Sequence, residues 1–493
     1  MSQSGKLAAD LNTALRCSEL TNGSSSIYSQ GSKYRNKFMS DRDKIMYCRA
    51  FLRLSGKTQV YTPSSGSDHR RTRLTHTLEV SQIARTIAKA LDLDCDLTEA
   101  IALGHDIGHT PFGHAGERIL HEIMSPPNIA NLQIPKTTST YKIYEQNKDN
   151  LDALEDSKNE YGFKHNLQSV RCLVEDMDMR GTEFGLNLTN YTLWGIMNHS
   201  SISYKAKRVS TNFVEPLFYK QYERYCSHTD GSPAWTFEAL IVREADEIAQ
   251  MHHDLEDSIR NKVMSYCKVI ELIQPFYDSD LMSNEDKKRF DELKSEIQNT
   301  RKISKEHFIS TISKIVVNTL VTVLVNSSEE NLVIFGRKHN FNLSRIFSLD
   351  VNGDDIKNAI SYDTYGSNQN KEIIDRFKSK MSTLALYTHD VQRSDSKGKY
   401  IIKNLFEAYY TNPQQLPDTV IINTYRTFHK NEKSVIDYMG DIGEIRHKFE
   451  SDITSYRGSG QDNKDICLMR MICDYIAGMT DNFAISEYEK LYG

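Results

Sequence analysis

The chain has little of what usually punctuates or cross-links a fold. There are only ten prolines in 493 residues, so few positions force a helix to stop. The eight cysteines, at 17, 48, 95, 172, 226, 267, 467 and 473, form no Cys-x-x-Cys pair. That removes a zinc ribbon and a thioredoxin-like motif, and it leaves reduced thiols as the simple reading. No apolar stretch in the first twenty residues has the length of a signal peptide. The most apolar run, Ile315 to Val325, is interrupted by Asn318, Thr319 and Thr322. It is too short to span a bilayer and reads as buried core. These absences point to a cytoplasmic protein with no membrane partner. The formal net charge of −5 gives no bulk electrostatic attraction to nucleic acid or acidic lipid. Strand-like alternation is rare, and no solenoid repeat occurs.

Helical periodicity fills the space these absences leave. It runs through 72–91, 97–107, 114–125, 236–260 and 466–481, so the fold class is mainly α. The length is a prior for two to four domains, or for one large helical unit. Three stretches lack the pattern. Segment 20–36, rich in Ser, Gly, Asn and Tyr, reads as a loop or arm. Segment 126–160, opening on Pro126-Pro127, reads as an irregular insertion. Segment 340–400, polar and holding Gly353 and Gly366, reads as a surface insertion or small accessory unit.

The chemistry sits on the helices. His76, Val80, Ile83, Ile87 and Leu91 share one face, so a histidine heads an apolar stripe. Taken alone, such a histidine is more often a satisfied core residue than a ligand. The next helix changes the balance. Leu97 to Gly104 is apolar until it meets His105-Asp106, and burying an unpaired carboxylate there costs several kcal/mol. An imidazole nitrogen and a carboxylate oxygen together suit a divalent ion such as Mn, Fe, Co, Ni or Zn. Adjacent residues cannot share a helical face, so this pair works only at a helix end, which Gly108 and Pro111 supply. His114 and Glu117 follow at helical spacing, and a carboxylate beside an imidazole suits proton transfer. A further acid is expected from 236–260. Asp246 stands there among alanines and aliphatics, and Asp254 lies two turns beyond. Glu256 and Asp257 read as a solvated acidic face.

Together these residues resemble the HD-domain superfamily and its H…HD…D ligand set. More closely, the chain resembles the deoxyguanosinetriphosphate triphosphohydrolase family. The matching motifs are Ser40-Asp-Arg42 with Lys57-Thr-Gln-Val60, Arg71-Thr-Arg-Leu-Thr-His76, Gly104 through Glu117 and Gly162 through Ser169. Gly185 through Thr189, Arg243 through Ala249, His252 through Asp257 and Asp474 through Asp481 complete them. The resemblance implies an HD-domain helical phosphohydrolase core with a helical C-terminal extension. Residues 1–60 would form an N-terminal arm and substrate-side segment, and 61–265 the catalytic core. Residues 266–493, with insertions, would close the active site and mediate oligomerisation. It implies cleavage of a dNTP, dGTP foremost, to deoxynucleoside and inorganic triphosphate. The implied metal ligands are His76, His105, Asp106 and Asp246, holding a divalent ion, Mg or Mn first and Fe, Co, Ni or Zn within range. His114 and Glu117 match the catalytic pair. Arg73 matches a triphosphate-binding arginine, with Lys205, Lys207 and Arg208 as candidate helpers. Gln59, Val60 and Asp254 match the sugar end, and His165 and Asn166 the phosphate side. A homo-oligomer, up to a hexamer, and a nucleotide or single-stranded DNA effector are implied as well. One departure stands out: the family commonly has a tyrosine packing on the sugar where this chain has Gln250.

Two other readings compete. One is a different HD phosphohydrolase, a nucleotidase or phosphodiesterase. The other is a nucleotide- or nucleic-acid-binding regulator with a structural metal, using His69 to Arg73 and Lys397 to Lys403 on phosphates. A structural metal would have no need of His114 and Glu117.

Overall fold

The structure is a computed structural model. It describes residues 4–22, 34–59, 71–124, 162–175, 185–200, 202–203, 210–211, 224–298, 303–341, 353–386, 389–428, 442–459 and 462–493. Val60, Lys205, Lys207, Arg208, most of 20–36 and all of 126–160 lie outside these residues. Among the described residues the chain is almost entirely helical. The one two-stranded ladder pairs Ile202–Ser203 with Ser210–Thr211.

The helices that build the site are α1 (Lys37–Tyr47), α2 (Arg73–Ala90), α3 (Cys95–Gly104), α4 (Gly113–Met124), α5 (His165–Glu175), α6 (Asn190–Asn198) and α7 (Phe237–Arg260). Beyond them, α8 (Asn284–Gln298), α9 (Lys305–Lys338), α10 (Gln369–Leu386), α11 (His389–Thr411), α12 (Asp462–Ala477) and α13 (Asp481–Tyr492) cover the flanks. Sequence features set their starts. Thr72 caps α2 in a reciprocal capping box with Thr75, Asp94 caps α3 and Thr236 caps α7. Each side-chain oxygen satisfies an amide that the helix leaves orphaned.

Helices α2, α3 and α7 pack against one another as the centre of the larger core. Val80, Ala84 and Ile87 of α2 are fully buried there, as are Leu240, Ile241 and Ile248 of α7. Each of these valine, leucine and isoleucine side chains contributes about 1.5–3 kcal/mol on removal from water. A second cluster joins Leu120, Ile123 and Met124 of α4 to Ile402, Leu405 and Phe406 of α11 and to Leu468 and Ile472 of α12. Helix α4, whose second residue is His114, therefore ties the site to this second core.

Three expectations change. The run Ile315 to Val325 is core, with Ile315, Val316, Leu320 and Leu324 buried, but it belongs to the 34-residue α9. By length and composition that helix could cross a bilayer; its apolar stripe is instead spent on the larger core, against α7. The pattern over 466–481 is two helices, because α12 ends at Ala477 and α13 starts at Asp481. Thr480 caps α13. Segment 340–400 is no surface insertion where it is described. Ile374, Phe377 and Met381 of α10 are buried, and that helix packs on α7.

Candidate functional site

The chain reverses just after α3, and there it builds the site. Helix α3 ends at Gly104 with His105 as its C-cap, so His105 and Asp106 leave the helix in different directions, as adjacency required. Gly108 admits no side chain: a Cβ would sit 2.2 Å from the Ser169 nitrogen. This close approach lets Ser169 accept from the Gly108 amide and donate to the His105 carbonyl. Phe112 and Gly113 both take left-handed backbone, φ 60° and 56°, and aim α4 back across the site.

His76 from α2, His105 and Asp106 from the turn and Asp246 from α7 converge. His76 Nε2 lies 2.9 Å from Asp246 Oδ1 and 3.9 Å from Asp106 Oδ2. His105 Nε2 lies 3.5 Å from Asp106 Oδ1 and 3.8 Å from Asp246 Oδ1. His105 and His76 are buried, and His105 Nε2 has no hydrogen-bond partner. Burial should raise the Asp106 carboxyl, yet the facing His109, His105 and Arg73 hold it well below its usual range. His76 and His105 hold Asp246 low in the same way. An orphaned buried imidazole nitrogen facing two ionised carboxylates is the donor set a divalent ion needs. The ligand atoms of His76, His105 and Asp106 lie within 4.8 Å of one another, so the residues present fit such an ion.

Beside this cluster, Glu117 is shared by two imidazoles. Its Oε2 is 3.3 Å from His114 Nδ1, and its Oε1 is 3.0 Å from His165 Nδ1. Burial opposes its charge, but His165 and His114 hold it ionised, well below its ordinary value. The His114 side chain is 58% exposed, open to a substrate, whereas His165 is buried. A cavity of about 340 Å³ opens over these groups, within the range of small-ligand sites. Gln59, Arg73, His114, His165, Gln250 and Asp254 all line it. Burial and the Asp257 charge push Asp254 up to about 7, against a Gln250 hydrogen bond.

Some expected residues sit differently. Arg73 is buried and pairs with Asp106 Oδ2 at 2.8 Å, while still lining the cavity. Asn166 stands behind it, donating to Ser200 Oγ at 2.9 Å. Glu256 is not on a solvated face: it is half-buried and accepts from Arg71. Asp257 is half-buried as well. The stretch Lys397 to Lys403 lies on α11, with Gly398, Ile401 and Ile402 turned inward.

Several site residues had been given no role. His109 Nδ1 is 2.9 Å from Asp106 Oδ1, and its ring lies 3.8 Å from that of His165. His253 Nδ1 faces His76 Nδ1 at 3.4 Å, and its Nε2 meets the Glu79 carboxylate. Lys378 reaches in from α10 to Glu247 at 2.7 Å and lines the cavity with Ser382. His109 and His253 lie inside quoted motifs and were within reach of sequence reading, whereas Lys378 was not.

Residues 73–169 match the HD domain family model, and residues 367–441 with 453–490 match that of the phosphohydrolase-associated domain. The deoxyguanosinetriphosphate triphosphohydrolase-like protein of Rickettsia felis is 30% identical over 93% of this chain and 92% of its own length. The chain belongs to this family. Its like-named relative in Rhizobium leguminosarum is 30% identical over 94% of this chain and 90% of its own length, and that of Rickettsia rickettsii is 31% identical over 93% and 92%. The chain is thus an HD-domain phosphohydrolase. The associated domain takes in α10, α11, α12 and most of α13, so family membership extends to the helices that flank the site.

Proposed function

We propose that this protein is a metal-dependent dNTP triphosphohydrolase, with dGTP a leading substrate, releasing deoxynucleoside and inorganic triphosphate. The observation that carries this reading is the pairing of two groups of residues in one cavity. A cluster of buried His76, His105 and Asp106 with half-buried Asp246 faces a carboxylate, Glu117, that grips two imidazoles. Hydrolysis forms a bond from water oxygen to the α-phosphorus and breaks the bond to the 5′-oxygen, which must gain a proton. A divalent ion held by His76, His105, Asp106 and Asp246, magnesium or manganese first, would polarise a phosphoryl oxygen and acidify its water.

The chain's own groups do the rest. Glu117 fixes the orientation of the His114 ring, so His114 serves as the proton-transfer residue. His165, held by the other oxygen of Glu117, and Asn166 behind it form the phosphate side. Arg73 offsets triphosphate charge once the substrate competes for its guanidinium. Gln59, Gln250 and Asp254 meet the sugar, and the raised Asp254 carboxyl can donate to a hydroxyl. The family adds a homo-oligomer, a nucleotide or single-stranded DNA effector and a cytoplasmic setting to the proposal.

The test is an activity matrix of metals against dNTPs, with products separated by ion exchange. Inorganic triphosphate is expected from dNTPs. Orthophosphate from nucleoside monophosphates would instead make the chain a nucleotidase. Asp106→Ala should lose bound metal and turnover. His114→Ala should keep the metal and lose about 10²–10⁴-fold in kcat, the scale of general acid–base catalysis.

A further inference from the structure

A second group of metal-ligating side chains lies on the far side of His76. The Glu79 carboxylate on α2 faces His252 and His253, consecutive residues of α7, and the ligand atoms of the three lie within 4.8 Å of one another. His252 Nδ1 is 3.8 Å from Glu79 Oε2. The cluster is reachable from solvent: the Glu79 side chain is 39% exposed. His252 also lines a groove of about 710 Å³, outside the catalytic cavity, with Gln82, Glu256 and Lys314.

Tautomers decide what this cluster can do. His252 Nε2 lies 3.5 Å from Glu256 Oε1, and Glu256 is itself held by Arg71. A carboxylate behind one ring nitrogen puts the proton there and leaves the other nitrogen as a ligand. For neutral His252, Nδ1 then turns a lone pair toward the Glu79 carboxylate. Two acceptors face each other with no proton between them, at a separation that a shared ion would span. His253 Nε2, against the same carboxylate, is the third donor. Two imidazoles and one carboxylate, with room for water, form a ligand set for a borderline divalent ion of the zinc class, and magnesium rarely accepts such a set.

We propose that Glu79, His252 and His253 form an accessory site for such a cation, and that filling it weakens the catalytic centre. The second half rests on the reading of His76 as a metal ligand. If His76 gives Nε2 to the catalytic ion, its proton is on Nδ1 and points at His253 Nδ1, 3.4 Å away. His253 must then accept at Nδ1 and carry its own proton on Nε2, toward Glu79. This carboxylate–His–His chain anchors His76. An ion on His253 Nε2 moves that proton to Nδ1, with no net gain or loss of protons. Two N–H groups then oppose each other, and the anchor becomes a repulsion. Each site loses affinity when the other is filled, by the same factor.

The test titrates zinc into metal-free protein by competition with a chromophoric chelator, then into the manganese-loaded enzyme while following turnover. Wild type is expected to hold about two zinc equivalents, and His252→Ala and Asp106→Ala about one each, the loss falling on different sites. Zinc should inhibit the manganese-supported reaction, and His252→Ala should need at least about tenfold more zinc for the same inhibition, within the usual range of coupling. Added magnesium should not inhibit. His252→Gln guards against a local packing defect, and both His252 variants should match the wild-type melting temperature in chelator. One zinc equivalent in wild type, or equal zinc sensitivity in wild type and both His252 variants, overturns the proposal. Two equivalents retained by Asp106→Ala would sink the catalytic-ligand reading and the coupling with it, and would leave the accessory site standing.

Discussion

Asp481 lies far from the metal cluster in sequence, yet replacing it should cripple turnover. Its Oδ2 accepts from the Thr58 amide at 3.0 Å, and its Oδ1 accepts from the Phe112 amide at 2.9 Å. Thr58 precedes Gln59, which lines the cavity, and Phe112 lies two residues before His114. The carboxylate is 4% exposed, so both bonds are charge-assisted and shielded, worth about 1.5–3 kcal/mol each. Phe112 also holds a left-handed φ of 60°, which costs a side-chain-bearing residue about 1–2 kcal/mol. Once the acceptor is gone, nothing offsets that strain and the loop relaxes. Asp481→Ala should therefore destabilise by about 3–5 kcal/mol, and Asp481→Asn, which keeps one acceptor, by about half as much. The kinetic effect follows from geometry. A shift of about 1 Å at a reacting group costs on the order of 10²-fold, so kcat should fall about 10–100-fold while metal content stays at the wild-type level. Differential scanning calorimetry, metal analysis and steady-state kinetics on the three proteins check this. Wild-type kcat in Asp481→Ala would refute the clasp. So would metal lost in step with activity, because the damage would then have reached the ligands.

Glu238 carries a pH signature in stability. It is fully buried, with Oε1 accepting from the Ala9 and Asp94 amides and Oε2 unpartnered, and burial pushes it up to about 7 from 4.5. The native state thus binds a proton the unfolded chain has lost, so this stabilisation is full below about pH 4.5 and gone above about 7. At 1.36 kcal/mol per unit that is about 3 kcal/mol; thermal melts should show Glu238→Gln more stable than wild type at pH 8.5 and level with it near pH 5, and parallel melting curves would exclude the effect. Gln250→Tyr should raise discrimination of dNTP over NTP by about tenfold in kcat/KM, and an unchanged ratio would remove residue 250 from sugar selection.

The residues expected as ligands stand out because their signals are local. An adjacent His105-Asp106 at the end of an apolar helix, with Gly108 just beyond, has few structural explanations, and Asp246 stands out against its alanines. The supporting residues carry no such contrast. Glu79 and His253 are ordinary helix residues until α2 lies on α7, 174 positions apart at their contact. The clasp joins Asp481 to Thr58 across 423 positions, and the motif around it looks like any helix junction. Asp474, in the same motif, shows the same thing. It accepts from Gln168 and Arg171 of α5 and from Arg470, so the C-terminal motif holds the helix that carries His165 and Asn166. Segment 340–400 misled for a different reason. Its polar composition describes most of α10, but Ile374, Phe377 and Met381 recur at spacings of three and four and form one buried stripe. Such a stripe needs only a few apolar residues to dock a helix, so composition hides it where periodicity does not. Lys378 follows Phe377 at the edge of that stripe. With the stripe docked on α7, the lysine emerges beside Glu247 and lines the site cavity.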